Sequence, residues 1–269
     1  MRRFSVLYVS IVWLLIAVAF PGLAEEKGSG FDKEKDLLSL HYDHAKDRDD
    51  GHSAAADRSI LETMFGKKWI KEHVMAISGV HGKNGPTFVK ESDKVMDAVW
   101  NDSIGWLTAH ERHEEAAQVM LKRWLKTLKA GGDIWIKEGG QSDLTADVVK
   151  LIKKVAPDID TTKRIHVVQH SEWNEKKTTD EDLAYTKNET HYIRINDANR
   201  YLSVRKGDKA FEQAALQHPV FGPSWKAAFE YFTPRKRLDF SDTGELMHIL
   251  DLGEMSIDTF REKFLEKRE

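Results

Sequence analysis

The 269-residue chain has no cysteine. It therefore folds without disulfides, holds no cysteine-ligated metal and carries no thiol nucleophile. Nor does it carry a basic excess. Its 41 lysines and arginines are scattered among 44 acidic residues, which excludes an electrostatic footprint for nucleic acid. The short run Arg235-Lys236-Arg237 reads as a solvated loop. No Pro/Gly/Ser-rich linker, low-complexity tract or internal repeat divides the sequence. Three chemical motifs are missing as well. No Gly-Lys-Ser/Thr follows a glycine at P-loop spacing, and no Gly-x-Ser-x-Gly marks a serine hydrolase. An EF-hand fails on spacing, because placing Gly51 at its turn position puts Lys46 and Arg48 where carboxylates belong.

Residues 1–24 hold Arg2 and Arg3, an apolar run from Phe4 to Phe20, and Pro21-Gly22-Leu23-Ala24. This order predicts a secretory signal peptide, with small residues at positions 22 and 24 for cleavage. The apolar run is at the short edge of what spans a bilayer, so an uncleaved anchor is the alternative. The expected location is periplasmic or secreted, in a bacterium, with no membrane contact after cleavage. Residues 25–36 read as a flexible polar lead-in and 37–269 as one α/β domain, long enough for a well-buried core.

Within that domain short β-rich runs alternate with amphipathic helical patterns. Strands are predicted at Leu37 to Leu40, His73 to Gly79, Ile134 to Lys137 and Ile165 to Gln169. Helices are predicted at Ser53 to Phe65, Glu111 to Lys129 and Asp143 to Val155, with a mostly helical last third near Lys209 to Gln217, Trp225 to Phe232, Gly244 to Leu250 and Ser256 to Lys267. Alternation of this kind implies a mainly parallel sheet flanked by helices, with ligands bound beyond the carboxyl ends of the strands. Four polar segments fall there: Asp43 to Asp50, His81 to Asn84, Gly139 to Thr145 and His170 to Asn174. They are expected to meet around one pocket.

The first of these carries the densest chemistry. Asp43-His44-Ala45-Lys46-Asp47-Arg48-Asp49-Asp50 places four carboxylates in eight residues directly after a predicted strand. They repel one another unless a cation neutralises them, and oxygen-rich sites of this kind suit Ca²⁺, with Mg²⁺ second. A solvated acidic loop, offset by Lys46 and Arg48, is the alternative. Farther on, Leu238-Asp239-Phe240-Ser241-Asp242-Thr243-Gly244 adds Asp242, which a helix N-cap would also explain. Trp173 offers either an apolar face to a sugar or a core tryptophan.

The order of these segments, an acidic cluster, Gly-x-Asn after the second strand, Leu-Thr in a helix, Glu-Trp-Asn and a late Asp, resembles the nucleoside hydrolase superfamily. It covers most of the chain after the leader. The resemblance implies a nucleoside-hydrolase-like fold that hydrolyses an N- or O-glycosidic bond in a ribosyl or other sugar substrate. It implies a metal shell of Asp50, Asp242 and the Thr145 carbonyl, and sugar binding by Asp49, Asn84, Glu172 and Asn174. The family's acidic segment has a metal-ligating, water-activating carboxylate where this chain has Ala45, so Asp47 or Asp43 is expected to act as the base. In this the segment looks closer to the nucleoside-hydrolase-like domain of exported cellulose-binding bacterial proteins. Ser241 stands where many purine-cleaving members have a histidine. Family members are often dimers or tetramers, so a homo-oligomer is possible. A non-catalytic carbohydrate or nucleoside binder on the same scaffold is the rival expectation.

Overall fold

The structure, a computed structural model, describes residues 28–82, 85, 87–233 and 236–266. The predicted leader lies outside the described residues, as does Asn84. Among the described residues no helix is long and apolar enough to cross a membrane.

Six parallel strands form the centre: β1 (Leu37–Tyr42), β2 (Val74–Ser78), β3 (Leu107–Thr108), β4 (Ile134–Gly139), β5 (Ile165–Gln169) and β6 (His191–Arg194), in the order β3-β2-β1-β4-β5-β6. Helices interleave with them: α1 (Asp49–His73), α2 (Asp93–Trp100), α3 (His113–Lys129), α4 (Asp143–Val155), α5 (Thr161–Arg164), α6 (Glu172–Lys177) and α7 (Asp180–Glu189). The last third adds α8 (Asn199–Leu202), α9 (Lys209–Gln217), α10 (Gly222–Phe232), α11 (Thr243–Ile249) and α12 (Ile257–Phe264). It also contributes an antiparallel pair, β7 (Ser203–Val204) with β8 (Leu238–Asp239). The α/β class expected from the alternation is the class observed.

The period-2 alternation of β1 and β4 sorts their side chains into two cores. Leu38, Leu40, Tyr42 and Trp135 face α1, α2 and the helices of the last third. Leu37, Ile134 and Ile136 face α3 and α4. Both faces are covered, which is why the central strands are buried throughout. Helix α1 breaks at Gly66, whose φ of 77° and ψ of 165° are non-helical, one residue after the predicted end at Phe65. Its start is four residues earlier than predicted, at Asp49, where the carboxylates of Asp49 and Asp50 sit at the positive end of the helix dipole.

Residues 28–36 are not the loose lead-in that their polarity predicts. Phe31 packs edge-on against Trp69 and Trp135, and Asp36 accepts hydrogen bonds from the Trp135 indole at 3.0 Å and the Asp133 amide at 2.8 Å. Ser29 adds hydrogen bonds to Ile249 and Asp251, and the Trp69 indole donates to the Lys33 carbonyl at 2.7 Å.

A buried histidine makes the fold acid-sensitive. His52 on α1 is fully buried, stacks on Phe232 at 4.4 Å and accepts the Asp239 amide on Nδ1. Burial pushes its pKa down from 6.5 to about 3. The folded state excludes a proton that the unfolded chain takes up near pH 6.5, so His52's contribution is full above that pH and is lost as pH falls toward 3. The loss reaches an upper bound of about 5 kcal/mol. His52→Phe should flatten the decline of urea-unfolding stability between pH 6.5 and 4; an unchanged slope would refute the assignment.

Candidate metal and sugar site

The strand order reverses direction between β1 and β4, and a crevice opens there beyond their carboxyl ends. A cavity of about 180 Å³ occupies it, lined by the acidic segment (Asp43, Asp47, Asp49, Asp50), by Gly139, by His170, Ser171, Trp173 and Asn174, and by Asn199, Arg237, Ser241 and Asp242.

The acidic segment is shaped by backbone that non-glycine residues seldom adopt. His44 (φ 51°) and Arg48 (φ 66°) are both left-handed. The turn folds the segment back on itself: the Ala45 amide donates to Asp43 Oδ1 at 2.7 Å and the His44 amide to Asp50 Oδ2 at 2.5 Å. Arg48 holds the turn from outside, donating to the Tyr231 carbonyl at 2.9 Å with its guanidinium over the Tyr231 ring. Strain of this kind persists where surrounding contacts over-determine it.

The result is a tight group of carboxylates. Asp49, Asp50 and Asp242 each bring an oxygen to within 4.8 Å of the others. Asp50 Oδ1 is buried and receives no hydrogen bond; the groups facing Asp50 are the carboxyls of Asp43 and Asp242. Burial, then its acidic neighbours, raise Asp50 well above the usual carboxylate range, and burial with Asp47 does the same for Asp49. Asp43, held also by the Gln141 side chain at 2.9 Å, is pushed up to about 7 by burial and the charge of Asp47. Burial would raise Asp242 too, but a 2.9 Å contact with His170 Nε2 and the charge of Lys137 outweigh it and leave Asp242 low. His170 is correspondingly raised to about 10: burial opposes its charge, and Asp197, Asp242 and Glu245 together prevail.

Asp242 settles one alternative. It occupies the N-cap position of α11, yet its side chain makes no capping bond and turns to His170 and the carboxylates instead.

Of the residues singled out in the sequence, Asp43, Asp47, Asp49, Asp50, Asn174 and Asp242 line the one cavity. Asp49, expected to bind sugar, shares the carboxylate group with the two expected metal ligands. Thr145 does not line it. Its hydroxyl donates to buried Glu138 at 2.6 Å, and the residue of that loop that reaches Asp43 is Gln141. Glu172 does not line it either. Ser171 caps α6 by accepting the Asn174 amide at 3.2 Å, and residues two apart on a helix point to different faces. Asn174 therefore turns in, to Gln141 at 3.2 Å, while Glu172 turns out to Lys176 at 2.6 Å. The described part of the second loop is also absent from the lining; Gly82 packs instead against Asp143.

His170 opens one of the four segments expected at the pocket and Ser241 stands beside Asp242, but neither was given a metal or sugar contact; Asn199 carried no sequence signal. Arg237 belongs to the run read as solvated, but it lines the cavity, donates to Ser203 and pairs with buried Asp239. Trp173, for which a core position was the alternative, is 42% exposed at the cavity's rim.

Comparison with protein-family models, with curated proteins and with solved structures finds no match to this chain.

Proposed function

We propose that this chain is an exported, metal-dependent hydrolase of an N- or O-glycosidic bond in a ribosyl or other sugar substrate, on a nucleoside-hydrolase-like fold. The observation that carries the reading is the convergence of Asp49, Asp50 and Asp242 on one point at the β1/β4 crevice, with a buried oxygen of Asp50 that no donor satisfies. A fourth carboxylate, Asp43, just past the end of β1, stands beside them. Asp49, Asp50 and Asp242 would hold the cation. An irregular set of carboxylate oxygens suits Ca²⁺ better than Mg²⁺, which demands near-ideal octahedral geometry. When bound, such an ion supplies Lewis acidity toward water and a grip on vicinal hydroxyls.

The chain's own residues do the rest. Asp43, oriented by the Ala45 amide and Gln141, accepts a proton from water; its raised pKa suits a base working near neutral pH. Asp47, more exposed, is the second candidate for that role. Ionised carboxylates around the crevice favour an oxocarbenium-like transition state. Asn174 and Asn199 offer hydrogen bonds to hydroxyls, and the exposed face of Trp173 offers apolar contact to a ring. The cavity is smaller than the roughly 300–1,000 Å³ of drug-sized ligand sites, which favours one ring in the pocket and the remainder outside.

The test is release of reducing sugar from nucleosides, nitrophenyl ribosides and short glycans. Release should require Ca²⁺ and vanish with EDTA. Because Ser241 provides no acid, nitrophenyl ribosides should react fastest and inosine-like purine nucleosides slowly. One observation favours a second reading, a non-catalytic sugar or nucleoside binder: buried Ala45 fills the place of the family's catalytic carboxylate. Ribose binding by calorimetry without release from any of these substrates would replace the enzyme by the binder.

A further inference from the structure

Lysine is almost never fully buried unless paired, and a strand that packs on both faces is an unusual place for it. Lys137 on β4 is fully buried. Its Nζ lies 3.9 Å from the centre of the Tyr42 ring and 3.4 Å from Asp57 Oδ2, without a well-formed hydrogen bond to any group. Asp57 is occupied on the other side by the Tyr42 hydroxyl, which donates to it at 2.7 Å. Beyond Asp57, the charges acting on Lys137 are those of Asp242, Asp50 and Glu245, so the ammonium looks into the carboxylate group from below.

Gly139 fixes how close that is. It lines the cavity, and a Cβ built on it would lie 2.9 Å from Lys137 Nζ, 2.6 Å from the His41 carbonyl and 3.3 Å from Asp242 Cβ. The ammonium is thus one backbone layer beneath the cavity floor. The proposed chemistry does not use it directly: the amine pairs with buried Asp57 and lies outside the cavity lining, so what it adds to the site is charge.

We propose that Lys137 is a tethered counter-ion for the carboxylate group, holding Asp242, Asp57 and Asp50 together without metal and setting how tightly an incoming divalent cation binds. The inference rests on the reading that Asp49, Asp50 and Asp242 hold such a cation. A fixed positive charge beneath the group does two opposite things. It relieves carboxylate repulsion in the metal-free protein, and it repels the cation that would do the same work.

The experiment is calcium titration by calorimetry, with melting of the metal-free protein, on the full chain. Lys137→Met keeps an unbranched side chain one atom shorter and removes the charge. It should lower the metal-free melting temperature by on the order of 10 °C, as expected when one partner of a buried pair is lost. It should also tighten Ca²⁺ binding by at least about tenfold, a floor well below the bare interaction of a divalent cation with one elementary charge a few ångström away at an effective dielectric near 20, because relaxation and screening offset much of that interaction. A lysine that only packs would change the first quantity and not the second. Should Lys137→Met not fold, Asp57→Asn compared with the double variant Asp57→Asn/Lys137→Met reads the same charge, because the carboxylate paired with the ammonium, Asp57, is neutral in both. The double variant should bind Ca²⁺ at least about tenfold tighter than Asp57→Asn alone. Equal affinities within twofold, or weaker binding once the charge is gone, would overturn the role of Lys137 while leaving the metal site standing. Absence of Ca²⁺ binding by the wild type would overturn the metal reading itself and this inference with it.

Discussion

Calcium should raise the melting temperature of the wild-type protein by about 5–10 °C at a hundredfold excess over Kd, and Asp50→Asn should abolish the rise. The first figure is mass action: a ligand at 100 times its Kd stabilises the folded state by about 2.7 kcal/mol, spread over a chain of this size. The second follows from position, since Asp50 is the most enclosed of the three clustered carboxylates and carries the oxygen that lacks a donor. Asp49→Asn should reduce the rise as well, because Asp49 contributes an oxygen to the same group. The effect has a pH signature. Asp43, Asp49 and Asp50 are raised in the metal-free state, so the stability they contribute as neutral groups is present below about pH 4. It is lost as pH rises, for Asp43 through about 7. Cation binding takes those protons off. The calcium-induced rise should therefore be larger at pH 7.5 than at pH 5.5. Melting curves that coincide with and without calcium at both pH values would rule out the site.

The sheet was legible where period and punctuation agree. The predicted limits of β5, α4 and α9 are the observed ones; α4 keeps its apolar residues at helical spacing, and α9 starts at a capping aspartate, Asp208. Strand β6, His-Tyr-Ile-Arg, was not legible. It lies at the edge of the sheet, its side chains are only partly buried, and no run of apolar residues announces it. Helix α6 hid for another reason. Its cap is a single serine, and reading 170–174 as a loop let Glu172 and Asn174 face the same way, which a helix forbids.

The acidic segment announced itself by charge density alone, and Asp242 was the one carboxylate outside it whose position could be anticipated. What sequence could not supply is the partner that tells a metal-type carboxylate from a helix cap. That partner is His170, 72 positions away along the chain. Lys137 was harder still, since a lysine at a predicted strand's end reads as a solvated terminus. The strand continues two residues further, to Gly139, and carries it into the core.

The largest effect expected of any substitution is on turnover. Asp43→Asn should lower kcat on a nitrophenyl riboside by two or more orders of magnitude while ribose binding, by calorimetry, changes little, as when a general base is removed and the pocket is kept. Asn preserves one of the two contacts that orient the side chain, because its amide oxygen can still accept the Ala45 amide, and the Gln141 amide must turn over to meet its NH2. Asp47→Asn provides the comparison. Part of the rise in Asp43's pKa comes from Asp47's negative charge, second to burial. Removing that charge lowers the pKa, so the acid limb of kcat/KM should move to lower pH with the plateau retained. If Asp47 is itself the base, the pattern inverts: Asp47→Asn collapses the plateau and Asp43→Asn spares it. Ala45 is the reason the question arises, since it leaves the base to one of two carboxylates flanking it at equal spacing in the chain. They differ in confinement: Asp43 is buried with two donors on it, whereas Asp47 is exposed. A base must be held before it can be timed to a proton transfer. Confinement therefore selects Asp43, and a plateau that survives both substitutions in an active wild type would remove the two carboxylates from the chemistry together.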